Sequence, residues 1–443
     1  MNNEKKPTLK RELGLTAATA IVVGNMMGSG IFTSPQSLAQ VSSPFITILA
    51  WIITGLGSVF LALSFANLGS RYPETGGPIV YTKKAFGEFP SFLVAWTFWI
   101  GSWIGNAAII TAIIRYLTPF FPILSENGFI SFAVSSLILW GFTYINYKGV
   151  KEAGVIGVVT TVLKLGVILV FMLIALWGFN PEYLQSYSSV EATGFGALPA
   201  AIAVTLWSFV GLESAAISGG EIKDPEKNIK RSTILGTVLA SLIYLVLSIL
   251  AMGGLPQSTL AVSDAPLSSI INHITGATWG GAFISLGIVI SAAGATSGWI
   301  LTTARAAFAA GEDKLFPKFF SKIHKKHATP YVALIISGIC TNALLGLNYV
   351  SSLTEAFDFM INLATLSFIP AYAFTACAEI ILTIKKQHKI TFGRFLKHAF
   401  FSLLAFSYSI YVIYGSGAES AMWILILLLI GTPFYVYQKV QQQ

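Results

Sequence analysis

Charged side chains are scarce in this sequence: Asp, Glu, Lys and Arg make up 10% of its 443 residues, and apolar types make up 54%. Soluble domains carry about 25% charged residues, so the composition excludes an ordinary soluble protein. A spanning helix needs about 20 mainly apolar residues, and a dozen of them with short connectors would use nearly the whole chain. The composition therefore predicts an all-α membrane protein with a single transmembrane domain over residues 1–443.

Metal-binding and redox residues are also scarce. The two cysteines, Cys340 and Cys377, lie far apart within apolar runs, and the five histidines lie in or beside polar connectors. Neither a disulfide framework nor a metal-ligand pattern can be assembled from them. No metal and no cofactor is therefore expected.

The net charge of +8 comes from short Lys and Arg clusters between the apolar runs. These clusters do not form one basic face with interleaved aromatic residues, so nucleic acid is not an expected partner. Every Lys and Arg except Arg115 and Lys164 falls in a segment that is cytoplasmic if the amino terminus is cytoplasmic. The positive-inside rule then predicts that both termini face the cytoplasm and that the partner of the apolar surface is the lipid bilayer.

Twelve apolar windows are long enough to cross a bilayer. They cover approximately residues 14–39, 46–70, 88–117, 128–147, 154–178, 195–220, 232–255, 277–304, 331–349, 355–383, 399–415 and 420–438. The first is interrupted at Gly24–Gly30 and the sixth at Ser208–Glu213. These windows would begin two five-span halves, approximately 14–178 and 195–383, followed by two helices in 399–438. Corresponding interrupted spans in two halves indicate an inverted-repeat transporter with a binding site near the middle of the membrane.

The stretch Gly28-Ser29-Gly30 in the first window can leave the helix and expose amide groups at the start of the next half-helix. The positive end of a helix and free N–H donors bind an anion such as a carboxylate. Carbonyl groups at the end of the preceding half-helix would accept hydrogen bonds from an ammonium group. Together they favour an α-amino acid as the substrate, although the same glycines would also allow close helix packing.

Two charged residues lie deep inside apolar windows, where an ionisable group is a functional hypothesis by default. Glu213 in the sixth window is a candidate gating, proton-sensing or cation-contacting group, or else a structural acid bonded to backbone. Lys164 in the fifth has no charged neighbour in sequence. Its ammonium group could replace a bound cation such as Na⁺, release a proton during transport, or form a structural ion pair.

Aromatic and uncharged polar residues complete the candidate site. Trp207 and Trp299 could close over a substrate and offer a π face to an amine or guanidinium group, although an isolated tryptophan more often packs in a core. Four uncharged side chains could orient the ligand, or bond between helices; they are those of Asn25, Ser29, Ser102 and Asn106.

The segments Gly24–Phe32, Ser102–Asn106 and Thr205–Ser214 resemble the amino acid–polyamine–organocation superfamily. Within it they are most similar to basic amino acid/polyamine antiporters of the arginine/agmatine type. The resemblance covers nearly the whole chain. It implies a leucine-transporter-type fold, with a five-plus-five inverted repeat, two extra helices and breaks in helices 1 and 6. It also implies a bacterial cell membrane and allows for a homodimer.

The resemblance implies roles for the substrate-binding residues. The carboxylate would lie among Asn25, Ser29 and Gly30, and the ammonium group against Ser208 and nearby backbone. The residues that would contact the substrate side chain are Trp207 and Val210, on its aliphatic part, and Asn106, at its distal end.

The resemblance also implies gates. Trp299 would be an aromatic middle gate, and Glu213 a gating or pH-responsive carboxyl group, with Phe209 among the gating residues. Phe98 stands where those antiporters have a tyrosine of the extracellular gate, so one hydroxyl group is missing here.

Other features are similar to amino acid permeases of the same superfamily. Lys164 falls where the arginine/agmatine type has a small apolar residue, and resembles the fifth-span lysine of proton-coupled or sodium-independent permeases. Glu221–Asn228 and Arg305–Pro317 also resemble common permease segments. The sequence therefore predicts a secondary transporter that exchanges amino acids, or an amino acid for its amine. The alternative is a proton-coupled permease for neutral amino acids that uses Lys164.

The sequence lacks the signatures of two other classes of membrane protein, channels and membrane-embedded enzymes. A channel would need pore-lining rings or a filter motif. An enzyme would need a nucleophile–base pair or a metal constellation within the spans. One central Glu and one central Lys without a central His do not supply either, so the protein is not expected to be an enzyme.

Overall fold

The computed structural model describes residues 9–185, 194–349, 353–384 and 391–442, and the regular elements in these ranges are helices. The α-helices are α1 (Leu15–Met26), α2 (Gly30–Val41), α3 (Pro44–Arg71), α4 (Pro78–Phe86), α5 (Glu88–Leu117), α6 (Ile123–Glu126), α7 (Gly128–Lys148), α8 (Val150–Trp177), α9 (Leu198–Trp207), α10 (Ser214–Ile217), α11 (Pro225–Gly254), α12 (Gln257–Leu260), α13 (Pro266–Thr275), α14 (Thr278–Glu312), α15 (Tyr331–Asn348), α16 (Leu353–Ile384), α17 (Phe392–Gly415) and α18 (Gly417–Val440). Short 3₁₀ helices cover Pro181–Leu184, Gly194–Ala197, Gly219–Glu221 and Lys318–Ser321.

Ten helical segments in the described residues are long and apolar enough to cross a membrane. They match every predicted window except the sixth and the eleventh. The sixth is divided, and only Gly194–Trp207 forms an apolar helix of moderate length; in the eleventh, Ala399–Gly415 is likewise shorter than the other ten. The chain is therefore a multi-pass membrane protein, as the composition predicted.

Several connectors contain helices that the apolar windows do not predict. The helix α4 lies between the second and third spans, and α12 and α13 lie between the seventh and eighth. Both α4 and α13 begin with proline, which suits the first turn because its missing N–H has no partner there anyway. Gly276, the residue that follows α13, has φ 66°, and this left-handed conformation is common where helices end.

The interior of the bundle is formed by a few helices. Helix α5 packs along α14 and α16, α3 packs along α11, and α1 lies against α8, α11 and α14. The segments Leu15–Val41 and Glu88–Leu117 are mostly buried, whereas Gly417–Val440 is mostly exposed. Because the two predicted interruptions belong to this interior, any site that they form is enclosed by protein.

Part of the charge pattern that predicts the orientation cannot be placed. Lys5, Lys6, Lys385, Lys386 and Lys389 lie outside the described residues. The cytoplasmic position of both termini therefore stays a prediction.

Candidate substrate-binding site

Two helix interruptions meet inside the bundle, at a place called the junction below. Residues 27–29 separate α1 from α2, and residues 208–213 separate α9 from α10. Gly211 in the second interruption has φ 119°. A β-carbon there would lie 2.8 Å from the amide nitrogen of Met26 and 2.9 Å from the carbonyl carbon of Asn25. Only glycine accepts both this conformation and this approach, so the second interruption is fitted directly against the first.

Lys164 of α8 reaches the end of α1. Its Nζ donates to the carbonyl oxygens of Gly24, at 2.9 Å, and Met27, at 2.5 Å, and its side chain is buried. The last carbonyls of a helix have no partner within it, and here the protein's own ammonium group supplies one. The ion pairs found in the described part of the chain do not involve Lys164, so the structural ion pair considered from sequence finds no support there.

Asn25 joins α1 to two other helices. Its Nδ2 donates to Ser214 Oγ at 2.8 Å and to Thr302 Oγ1 at 3.1 Å. Its carbonyl oxygen accepts a hydrogen bond from the indole Nε1 of Trp299 at 3.0 Å. The end of α1 is therefore held by Lys164 and Trp299, and its carbonyls have less capacity for a substrate ammonium group than the sequence suggests.

An aromatic cluster lies beside this junction. The ring centroid of Phe368 in α16 is 5.4 Å from that of Trp299 and 5.0 Å from that of Phe98. Ring pairs at these distances and tilted angles are favourable. The two predicted gate residues from α14 and α5 are thus brought together through a third ring, which sequence reasoning missed.

Trp207 covers the first interruption from the side of α9. Its Nε1 donates to Ser29 Oγ at 3.3 Å. A β-carbon at Gly30 would lie 2.7 Å from Trp207 Cδ1 and 2.8 Å from Ser208 Oγ, and one at Gly105 would lie 3.2 Å from the far edge of the indole. Glycines on α2 and α5 therefore make the space in which this indole fits.

Three of the predicted site residues carry buried oxygen atoms that have no hydrogen-bond partner among the described residues. These are Ser208 Oγ, Asn106 Oδ1 and Glu213 Oε1. Asn106 is fixed from its other side, because Nδ2 donates to Thr303 Oγ1 at 3.2 Å. A buried polar atom without a partner costs about 1–3 kcal/mol, so each of these oxygens is available to accept a hydrogen bond from a ligand.

Glu213 connects the second interruption to α16. Its Oε2 accepts hydrogen bonds from the Gly211 amide at 3.2 Å and from the Tyr372 hydroxyl at 2.9 Å, and the residue is fully buried. The carboxyl group therefore fixes the backbone of the interruption and keeps one oxygen free of protein partners.

The remaining predicted residues have packing roles in this structure. The hydroxyl of Ser102 donates to the carbonyl one turn earlier in α5, at 2.7 Å. The Phe209 ring packs edge-on against Tyr244 of α11 with centroids 5.2 Å apart, and Val210 is buried. A β-carbon at Gly28 would find ordinary contacts. The structure therefore does not bring the Ser102 hydroxyl and the Phe209 ring together with the other candidates.

Sequence reasoning missed four residues that hold the site together: Thr302, Thr303, Phe368 and Tyr372. Thr302 and Thr303 follow Trp299 by one helical turn, so they share its face of α14, and this spacing could have identified them. Phe368 and Tyr372 lie in an uninterrupted apolar window that gave no signal. Among the described residues, no group of His, Cys, Asp and Glu could hold a metal ion.

A polar cavity of about 170 Å³ adjoins the junction on the side of α2. Gly30 and Trp207 form its inner end, and Thr33, Ser34 and Asn362 contribute polar groups to its wall. The indole of Trp207 therefore belongs both to this cavity and to the cluster around the interruptions.

The opposite side of the junction is closed by backbone pairing and a buried ion pair. The Leu13 amide donates to Glu221 O at 3.0 Å, and the Lys223 amide donates to Leu13 O at 2.8 Å. Arg305 Nε and Nη2 donate to the Glu221 carboxylate at 2.7 and 2.8 Å, with both side chains at most 1% exposed. These contacts hold together the segments on the side of the junction away from the polar cavity.

A family model described as amino acid permease matches residues 13–434 of the chain. The chain belongs to the amino acid permease family. It is therefore an amino acid transporter and not an enzyme, as the sequence predicted.

Relatives of this amino acid permease span its whole length. A putative arginine/ornithine antiporter of Bacillus subtilis (strain 168) is 32% identical, covering 98% of both chains. An arginine/ornithine antiporter of Pseudomonas aeruginosa is 30% identical over 97% of this chain and 91% of its own. An arginine/agmatine antiporter of Chlamydia trachomatis serovar L2 is 30% identical over 98% of this chain and 91% of its own.

A solved structure shares the fold of this permease. A Na⁺-coupled sialic acid symporter in a substrate-bound outward-open state superposes with a TM-score of 0.54 at 14% identity. The match covers 92% of this chain and 89% of the symporter. At that identity the likeness shows a common transporter fold.

Proposed function

We propose that this permease exchanges basic amino acids across the cell membrane by alternating access, taking arginine in exchange for ornithine or a related amine. The observation that carries the proposal is the meeting of two helix interruptions around buried oxygens without protein partners. The names of the relatives support exchange and a basic substrate.

The finer architecture is part of the proposal. We infer twelve spans, with α1–α2 and α9–α10 as the broken first spans of two inverted five-span repeats, and α17 and α18 as two extra helices. Support comes from the position of the interruptions and from the common fold with the symporter. Interrupted spans at corresponding positions are typical of such repeats. Both termini would face the cytoplasm, and the polar cavity beside α2 would open to the outside.

The substrate head group would lie between the two interruptions. The carboxylate would bind the first two amide groups of α2, those of Gly30 and Ile31, since the Phe32 amide already donates to Ser29 O at 3.1 Å. The ammonium group would bind Ser208 Oγ, which has no hydrogen-bond partner among the described residues, and nearby backbone. The carbonyls of Gly24, Asn25 and Met27 already accept hydrogen bonds from Lys164 and Trp299.

The substrate side chain would extend toward α5 and α14. A guanidinium group has five N–H donors in a planar fork, and the free Oδ1 of Asn106 is an acceptor for one of them. The ring of Trp299 would supply a π face to the same cation. An apolar side chain has no donor for the Asn106 oxygen, which favours the basic substrate over an apolar one.

The test is exchange in proteoliposomes. Vesicles loaded with arginine, ornithine, agmatine, leucine or no amino acid would be given labelled arginine outside. We expect rapid uptake only with a basic compound inside. Uptake into empty vesicles that favours neutral amino acids and an inward proton gradient would instead support the proton-coupled permease, in which Lys164 carries the proton.

A further inference from the structure

A second cavity, of about 480 Å³, lies outside the candidate substrate site. Its walls come from the first turns of α5, the segment that follows α14, and the last turns of α18. Its volume falls within the range of about 300–1,000 Å³ that is typical of small-molecule sites. All three walls lie at the end of the bundle that carries the lysine clusters, so the cavity is at the depth of one membrane leaflet.

The walls of this cavity present carbon atoms. Trp96 and Trp99 line it from α5, and both indole N–H groups are used elsewhere: Trp96 donates to Leu427 O at 2.9 Å and Trp99 donates to Ser337 Oγ at 2.8 Å. Their rings pack on other aromatic side chains that line the same space, and only Gln438 and Tyr437 add polar atoms, at the end of α18. Such a lining suits a hydrocarbon chain better than a polar metabolite.

Two lysines flank one wall of the cavity. The wall segment Leu315–Pro317 is flanked directly by Lys314 and Lys318, both exposed. Neither lysine has an acidic partner in the ion pairs found among the described residues. Of the acidic residues nearby, Asp313 and Glu88 are paired with other lysines, and Glu312 lies two residues before Lys314.

The backbone fixes this arrangement. The amides of Leu315 and Phe316 both donate to Ala310 O, at 2.8 and 3.0 Å, and Lys314 has φ 60°. This turn buries Leu315 and Phe316 against the cavity while their flanking lysines stay in solvent. An apolar cavity wall and two exposed lysines beside it are therefore preformed.

We propose that this cavity binds an acyl chain of an anionic phospholipid, with its phosphate on Lys314 and Lys318. Basic residues beside a membrane surface attract anionic lipids, and here two of them flank the wall of a cavity lined by apolar side chains. The lipid comes from the leaflet on the lysine-rich side, which is the cytoplasmic leaflet in the proposed orientation.

The first test measures lipid-selective quenching of tryptophan fluorescence. The full chain would be placed in phosphatidylcholine vesicles with a small fraction of lipid whose acyl chains are brominated. We expect brominated phosphatidylglycerol to quench more than brominated phosphatidylcholine. This excess should disappear in Trp96→Phe/Trp99→Phe and in Lys314→Ala/Lys318→Ala, and persist in Lys325→Ala/Lys326→Ala, which removes equal charge from the same connector.

The second measurement follows thermal stability in detergent, and it covers the case in which a variant folds poorly. Phosphatidylglycerol should raise the Tm more than phosphatidylcholine, and Lys314→Ala/Lys318→Ala should lose that difference. Equal effects of the two lipids, or an equal loss in Lys325→Ala/Lys326→Ala, would overturn the proposal in favour of general surface charge. The protein could instead form a dimer in which a second copy of the chain fills the cavity and excludes both lipids. Detection of such a dimer would also overturn the proposal.

Discussion

Lys164 determines what the end of α1 can do. By donating to Gly24 O and Met27 O, its ammonium group satisfies two carbonyls that the helix interruption would otherwise leave unpaired inside the protein. A metal cation bound at the same place would do so only when present. The lysine is attached to α8, so its position also fixes the distance between α8 and the interruption.

Lys164→Met keeps most of the side-chain volume and removes the donor. We expect each carbonyl left unpaired to cost about 1–3 kcal/mol. If one such cost is added to the rate-limiting barrier of the transport cycle, the exchange rate should fall by about five- to 150-fold. Arginine exchange in proteoliposomes measures this. Lys148→Met, at the exposed end of α7, is the matched control and should exchange normally; equal activity of the two variants would contradict the role of Lys164.

Gly30 is predicted to tolerate no side chain. A methyl group there would come within 2.7 Å of Trp207 and 2.8 Å of Ser208, so Gly30→Ala should displace the indole from the junction and strongly reduce substrate binding. Binding of labelled arginine to purified protein is the measurement. Gly166→Ala on α8, where a β-carbon meets nothing within 4 Å, should bind like the wild type.

The sequence identified most of the residues at the junction because their chemistry is unusual in an apolar window. Lys164, Glu213 and the two interruptions stand out for that reason. The sequence could not predict which groups these buried side chains bond to. Lys164 could bond to a carboxylate or to carbonyls, and only the packing of α8 on α1 decides between them.

At the scale of elements, the contact between α8 and α14 depends on glycine. A β-carbon at Gly294 would lie 2.1 Å from Thr160 Oγ1, and one at Gly287 would lie 2.4 Å from Val167 Cγ2. Small residues let membrane helices approach closely. Since α8 carries Lys164 and α14 carries Trp299, this close contact sets the positions of both groups that hold the end of α1.

Gly294→Ala should therefore push the two helices apart. Overpacking of this kind costs about 1–3 kcal/mol, and we expect a lower Tm together with slower exchange. The double variant Gly294→Ala/Thr160→Gly removes the opposing atoms and should recover most of both. Failure of the second change to restore either property would show that the glycine serves another purpose.

The buried pair of Arg305 and Glu221 joins α14 to the segment after α10. Removing one partner of a buried pair is expected to cost about 3–5 kcal/mol, because the other charge stays buried, whereas replacing both with apolar groups is often nearly neutral. Glu221→Leu alone should thus lower the Tm far more than Glu221→Leu/Arg305→Met. A double-mutant cycle on thermal unfolding measures the coupling, and additive effects would contradict it.

For the molecule as a whole, apolar windows predicted the membrane class, the helix-only architecture and ten of the spans. The sixth and eleventh windows gave shorter helices, and α4, α12 and α13 were not predicted, because they are short and lie outside long apolar runs. The family followed from motifs in the first, third and sixth spans. The hydrogen bonds of Lys164 and the backbone pairing at Leu13 join segments that are distant in sequence, and apolar windows carry no information on such contacts.

Transport by the whole molecule should not require sodium. This chain places its own ammonium group, that of Lys164, on the carbonyls of Gly24 and Met27. Arginine exchange measured with choline in place of Na⁺ on both sides of the membrane is expected to keep the wild-type rate. A rate that rises in proportion to Na⁺ would refute this expectation.

The attachment of that ammonium group to the polypeptide has a thermodynamic consequence for the proposed exchange. A dissociable ion can bring the energy of its own gradient to each cycle, but a lysine that keeps its proton throughout the cycle returns to its starting state and transfers none. The inward gradient of one amino acid can then be supported only by the outward gradient of its counter-substrate. At equilibrium the two concentration ratios, corrected for any difference in charge, are equal, so metabolism that consumes one compound and produces the other sets the direction of flow.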